Sequence, residues 1–132
     1  MNSMMMAFFG ATIAFLALNL SWIGVIAQDF YQRQMGGLMA SSFRMPAVAA
    51  FYLVYLAGVV FFAVAPAIEA GSIASALVRG ALFGFVCYAT YDLTNLATLR
   101  GYPARLAVVD IIAGTVVTGL ASAAGYFSAT LA

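Results

Sequence analysis

The sequence predicts an all-α integral membrane protein, a four-helix transmembrane bundle with short loops and a longer interfacial first loop. Hydrophobic residues make up 66% of the 132 positions and charged residues only 7%, whereas about a quarter of the residues in a soluble domain are charged. Four apolar stretches are each long enough to cross a bilayer as a helix, which takes about 20 residues. We therefore expect one transmembrane domain over residues 1–132.

The four predicted helices follow from these stretches and from the residues that punctuate them. The first has no basic residue before its apolar run, so we interpret it as a retained helix rather than a cleavable signal peptide. Pro46 and Pro66 flank the second, and Gly101 with Pro103 marks the turn between the last two. The predicted helices cover about 5–27, 47–68, 73–96 and 106–127.

The first loop, 28–45, is the longest and mixes aromatic residues such as Phe30 and Tyr31 with polar ones. That mixture is typical of a short amphipathic helix in the membrane interface, or of an irregular loop with aromatic anchors. Four of the five arginines lie in or beside the first and third loops, and only Arg79 lies toward the other side. The positive-inside rule then predicts that both loops are cytoplasmic and both termini outside.

Small residues recur at four-residue spacing on the third and fourth helices. Ala76, Gly80 and Gly84 form one such stripe, and Gly114 with Thr118 and Ala121 with Gly125 form others. Small residues allow helices to pack closely in lipid. The spacing alone does not distinguish packing within one chain from packing between chains, so a homodimer or larger oligomer stays open.

Polar side chains gather at one depth of the predicted bundle. Asp92 is nine residues before Gly101 and Asp110 nine residues after it, so an antiparallel hairpin brings the two carboxylates to a similar depth. An Asp near the centre of a membrane helix costs at least ~2.5 kcal/mol, so both call for an explanation. The same layer is predicted to hold Asn19, Trp22, Tyr52, Tyr55, Tyr88, Tyr91 and Asn95.

Two interpretations of this layer follow. The first is a polar site open to the cytoplasm, in which Asp92 and Asp110 bind or transport a proton, a small cation or the head group of a small amphiphile. The second is a purely structural network, in which tyrosines, Asn19 or an arginine such as Arg100 or Arg105 satisfy the carboxylates. In that case the protein is an interaction module for a partner membrane protein, with a small-residue face left unused.

Several other classes lack support in the sequence. There is no histidine, and Cys87 on an apolar helix suits packing better than nucleophilic chemistry. We find no catalytic residue, no metal site, no cofactor motif and so no support for an enzyme. A net charge of +1 gives no basis for binding nucleic acid. The expected partners are the lipid bilayer, a small ligand or ion, and further copies of the chain.

The stretch 88–99, with its tyrosine-aspartate-leucine-threonine-asparagine run at 91–95, resembles an uncharacterised family of bacterial predicted inner-membrane proteins. That family is known only as a domain of unknown function. The resemblance extends over nearly the whole chain, through 22–24, 30–31, 51–58, 66–67, 71–72 and 110–114. It implies four helices and the bacterial inner membrane. The family pattern has an acidic residue where Asn19 stands and a tryptophan where Ala113 stands.

Overall fold

The computed structural model describes residues 2–132 and contains four helices long and apolar enough to span a membrane. We label them α1 (Ser3–Ile26), α3 (Met45–Ala70), α4 (Ile73–Thr98) and α5 (Ala104–Ala129). A short helix, α2 (Gln28–Met35), lies in the first loop. The prediction of an all-α four-helix transmembrane bundle is confirmed, and of the two interpretations of the first loop the structure has the helix.

Most helix ends extend two residues beyond the apolar segments seen in the sequence. The second apolar segment, at 47–68, lies inside α3, and the fourth, at 106–127, lies inside α5. Hydropathy marks the part of a helix that suits lipid, whereas backbone hydrogen bonding continues into the polar residues at its ends. At the N-terminus of α1 the side chain of Asn2 accepts a 2.8 Å hydrogen bond from the backbone N–H of Met5, as an N-cap does.

Two π-helical turns interrupt the regular helices. In α3 the turn Val60–Val64 directly precedes Pro66. Proline has no N–H to donate to the carbonyl four residues earlier, and its ring clashes with that carbonyl, so the helix widens there. In α1 the turn Trp22–Ile26 ends the helix at Ala27, whose backbone leaves the helical region.

A tight turn joins α3 to α4. Gly71 has φ +63, and the backbone N–H groups of Gly71 and Ser72 bond back to Ile68 and Ala67. This is the Schellman pattern of a helix C-terminus, which needs a left-handed residue and so favours glycine. The hydroxyl of Ser72 then caps α4 by accepting from the N–H of Ser75 at 3.1 Å. The two helices are therefore antiparallel neighbours.

Helix α5 lies at the centre of the bundle, with α4 on one side and α1 on another. Ala76, Gly80 and Gly84 are all buried, and a methyl group added at Gly84 would meet Thr118 and the carbonyl of Gly114. The small-residue stripe of α4 is therefore used within the chain. The interaction-module hypothesis expected this stripe to be free, and that expectation is wrong.

The main hydrophobic core lies between α1, α3 and α5, around Phe15, Leu56 and Val59. A second, smaller core lies at the end of the bundle that holds the first and third loops, and its members are Ala27, Tyr31, Tyr102, Leu106 and Ala107. Gly10 faces Ser128, so the first turns of α1 and the last turns of α5 share the opposite end. The candidate site adjoins the smaller core.

Candidate functional site

Asp92 is the most deeply buried charged residue of the described chain, with 0% of its surface exposed. It lies on α4, and the hydroxyl of Tyr102 donates a 2.7 Å hydrogen bond to its Oδ1. Its Oδ2 is also buried and has no hydrogen-bond partner within residues 2–132. Buried polar atoms are nearly always satisfied in native proteins, so this atom requires a partner that a neighbouring group or a ligand supplies.

Asp110 lies opposite, on α5, and is half-buried. Its Oδ1 accepts a 2.8 Å hydrogen bond from the hydroxyl of Tyr31, which comes from α2. The same hydroxyl accepts a 3.1 Å hydrogen bond from the indole Nε1–H of Trp22, in the π-helical turn of α1. A chain of three side chains thus connects the end of α1 through α2 to a carboxylate on α5.

The carboxyl groups of Asp92 and Asp110 lie close to each other across the α4–α5 hairpin. Neither carboxylate can donate a hydrogen bond when ionised. Two negative charges side by side in a medium of low dielectric constant repel strongly. One proton shared between the two groups removes this repulsion and gives Asp92 Oδ2 the partner that it lacks.

Both phenols that bind the carboxylates lie outside the spanning helices and remain protonated. Burial raises the pKa of Tyr31, and the negative charge of Asp110 raises it further. Burial likewise raises the pKa of Tyr102, followed by its hydrogen bond to Asp92. These two tyrosines are therefore fixed as hydrogen-bond donors at neutral pH.

The structure brings the predicted residues of α4 toward the carboxylates to different extents. Asn95 lies beside the hydroxyls of Tyr102 and Tyr91. The ring of Tyr88 lies over Gly114, on the α5 side that carries Asp110. Tyr91 has 56% of its surface exposed and so lies at the edge of the site.

The predicted residues of α1 and α3 are more dispersed. The hydroxyl of Tyr55 forms a hydrogen bond with that of Thr118. The ring of Tyr52 packs edge-on against that of Phe15, with 5.7 Å between the ring centroids. Asn19 is half-buried, without a side-chain hydrogen bond in the part of the chain that the structure describes. Of the four predicted residues on these helices, Trp22 alone joins the carboxylates' hydrogen-bond network. Tyr52 and Tyr55 belong instead to an aromatic layer between the helices.

Sequence reasoning missed Tyr31 and Tyr102 as the residues that bind the carboxylates. Tyr102 is ten residues from Asp92, in the turn that joins their two helices, so the hairpin argument for the two aspartates also applied to it. Tyr31 had no comparable signal, because its place depends on α2 folding back onto α5. Both carboxylates receive their hydrogen bonds from these phenols rather than from Arg100 or Arg105.

Two apolar grooves lie on the surface of the bundle, away from the carboxyl pair. One groove of about 550 Å³ lies between α1 and α3 at the opposite end, lined by residues such as Met5, Phe8 and Phe61. Another, of about 320 Å³, lies on the outer α4–α5 face near Leu77 and Val116. Both are apolar and neither includes Asp92 or Asp110. Over residues 2–132, no cluster of three or more His, Cys, Asp or Glu forms a metal site.

The chain was also compared with known proteins. A family model described as predicted membrane protein (DUF2177) matches residues 4–127. The chain belongs to this family. The resemblance seen in the sequence is therefore confirmed, and the family description gives its members as predicted membrane proteins. No curated protein and no solved structure matches the chain.

Proposed function

We propose that this protein binds an exchangeable proton at the Asp92–Asp110 carboxyl pair, as a small multi-pass protein of the bacterial inner membrane. The single observation that carries the proposal is the buried Oδ2 of Asp92, which lacks a donor within residues 2–132 and lies beside a second carboxyl group. A proton can bind between the two carboxyl groups without any cavity beside them. A small cation is the next candidate, whereas the head group of an amphiphile needs a cavity at the pair.

The arrangement of arginines supports a site that faces the cytoplasm. Arg33, Arg44, Arg100 and Arg105 all lie at the end of the bundle that holds the carboxyl pair, whereas Arg79 lies toward the other end. The positive-inside rule assigns the arginine-rich end to the cytoplasm. A proton would then exchange with cytoplasmic water near the α4–α5 turn. Transport across the membrane further requires a second exit, which an oligomer or a conformational change has to supply.

Infrared spectroscopy of the protein in lipid nanodiscs tests the proposal directly. We expect the band of a protonated buried carboxyl group, titrating with pH, in the unmodified protein. It should be lost or shifted in Asp92→Asn and in Asp110→Asn. Glu69→Gln is the matched control, since Glu69 is an exposed carboxylate on α3. A band that persists unchanged in both aspartate variants would overturn the proposal. Loss of the band when Na⁺ or K⁺ is added at constant pH would instead assign the site to a cation.

The interaction-module hypothesis receives less support. The stripe of Ala76, Gly80 and Gly84 that was its expected docking face is buried between α4 and α5. A purely structural carboxyl pair would hold its proton at every pH at which the protein stays folded. Its infrared band would then not titrate, which distinguishes this role from exchangeable proton binding.

A further inference from the structure

The short helix α2 has irregular backbone at each end. On its N-terminal side, the π-helical turn of α1 ends at Ala27, with φ −109 and ψ 13. On its C-terminal side, Gly36 has φ +51 and is followed by Gly37, and nothing lies within 4 Å of a methyl group added at either glycine. Pairs of irregular positions such as these allow a rigid segment between them to move as a unit.

The contacts of α2 with the bundle are few. Tyr31 is the only buried residue of α2. It packs in the smaller core with Tyr102, Leu106 and Ala107, away from the main core of the bundle. Asp29 and Arg33 point outward and are exposed. Phe30 and Met35 of α2 also pack against this core while partly buried, so Tyr31 is the most buried contact of α2 with the bundle.

That tyrosine is also bonded to the candidate proton site. We propose that α2 is a lid over the carboxyl pair, held closed by the bond from Tyr31 to Asp110 and released when Asp110 becomes neutral. This inference rests on the proposed function, because it takes proton occupancy of the pair as the signal that moves the lid. It goes beyond that function by naming the element that responds and the residue through which it responds.

The strength of the Tyr31 bond depends on charge. A hydrogen bond to an ionised carboxylate is shorter and roughly twice as strong as one to a neutral group. Neutralising Asp110 therefore weakens the bond without removing it, and we expect the lid to open about fivefold more often. Since burial and the charge of Asp110 raise the pKa of Tyr31, the phenol keeps its proton and remains the donor of this bond.

Several other titratable side chains face Asp110 from the neighbouring helices. Asp92, Tyr88 and Tyr91 face it from α4, and Tyr31 faces it from α2. Tyr102 bonds to Asp92 rather than to Asp110. Among these, the two aspartates are the groups whose negative charge the proposed proton neutralises. Opening of the lid should accordingly follow the proton count of the pair.

Hydrogen–deuterium exchange of the α2 amides, measured in nanodiscs at one pH, tests the lid. Asp110→Asn is a permanently neutral mimic that still accepts from Tyr31, and Tyr31→Phe removes the bond while keeping the ring. We expect exchange in α2 to rise about fivefold in the first variant and at least as much in the second. Exchange in α4 and α5 should stay unchanged, which shows that the bundle is folded.

Tyr126→Phe is the matched control. Tyr126 is a half-buried residue of α5 that packs against the main core, away from the carboxyl pair. We expect this variant to leave α2 exchange unchanged. Equal exchange in the unmodified protein and Asp110→Asn would overturn the lid, as would an equal rise in Tyr126→Phe. The carboxyl infrared band, recorded on the same samples, reports separately on the proposed function and does not require the lid to move.

Discussion

The hydroxyl of Tyr31 donates a 2.8 Å hydrogen bond to Asp110 Oδ1, joining residues 79 positions apart in the chain. This bond connects the short helix of the first loop to the centre of the last hairpin. It also fixes Tyr31 as the phenol that receives the indole N–H of Trp22. A contact with such a large separation closes a long loop at a cost in entropy, which the packing of the rest of the bundle offsets.

The alkaline titration of Tyr31 should be delayed. Its pKa lies above the ordinary value of 10.0 because of burial and the nearby Asp110 charge. A folded-state pKa above the unfolded value means that the stabilisation from the neutral phenol is complete below about pH 10 and is lost as pH rises through the folded-state pKa. The ultraviolet titration of Tyr31→Phe, subtracted from that of the unmodified protein, isolates the absorbance of the Tyr31 phenolate. This absorbance should appear only well above the ordinary pKa of tyrosine. A difference spectrum that titrates near the ordinary value would contradict the buried donor.

Asp92→Asn should leave the protein at least as stable as before. The substitution relieves the pair of the need for a shared proton and offers an N–H₂ donor in the position of the unpartnered Oδ2, which can bond to Asp110. We expect the free energy of unfolding to rise by about 1 kcal/mol. Thermal unfolding in detergent measures it, with the exposed Asp29→Asn as control. A large loss of stability, seen only in Asp92→Asn, would show that the ionised group is needed for folding.

Gly84→Ala should destabilise the α4–α5 pair. The added methyl group would meet Thr118 and the backbone carbonyl of Gly114, and a carbonyl in a helix cannot move away alone. Overpacking of this kind costs about 1–3 kcal/mol. Gly24→Ala is the matched control, because nothing lies within 4 Å of a methyl group there. Similar thermal midpoints for the two variants would argue against close contact of the helices.

Cysteine labelling should establish the orientation of the bundle. In a Cys87→Ser background, Gln32→Cys reports on α2 and Ala70→Cys on the turn at the opposite end. Both parent residues are exposed. A membrane-impermeant thiol reagent added to spheroplasts should label the second and leave the first unlabelled until the membrane is permeabilised. The reverse pattern would place the carboxyl pair on the outer side.

The fold was predictable because lipid imposes a simple rule on the sequence. Each spanning helix has to satisfy its own backbone and present apolar side chains, so 66% hydrophobic residues arranged in four runs left little choice. The pairing of Asp92 with Asp110 was predictable for a related reason, since a short turn fixes the relative depth of residues on both sides.

Depth alone did not predict which side chains meet. Asn19, Tyr52 and Tyr55 were expected in the same layer as the aspartates, but the rotation of a helix about its axis decides which neighbour a side chain reaches. Tyr55 turns toward Thr118 and Phe15. Hydropathy is nearly uniform around these helices, so it carries little information on rotation. The position of Tyr31 depended in addition on a loop segment with no membrane constraint.

The central place of α5 has a consequence for biogenesis. This helix is the last of the four to leave the ribosome, yet α1 and α4 both pack against it. Until it enters the membrane, the earlier helices have to reside in lipid without the surface that they finally share. The packing around α5, and with it the pairing of Asp92 with Asp110, therefore forms only after the last helix has entered the membrane.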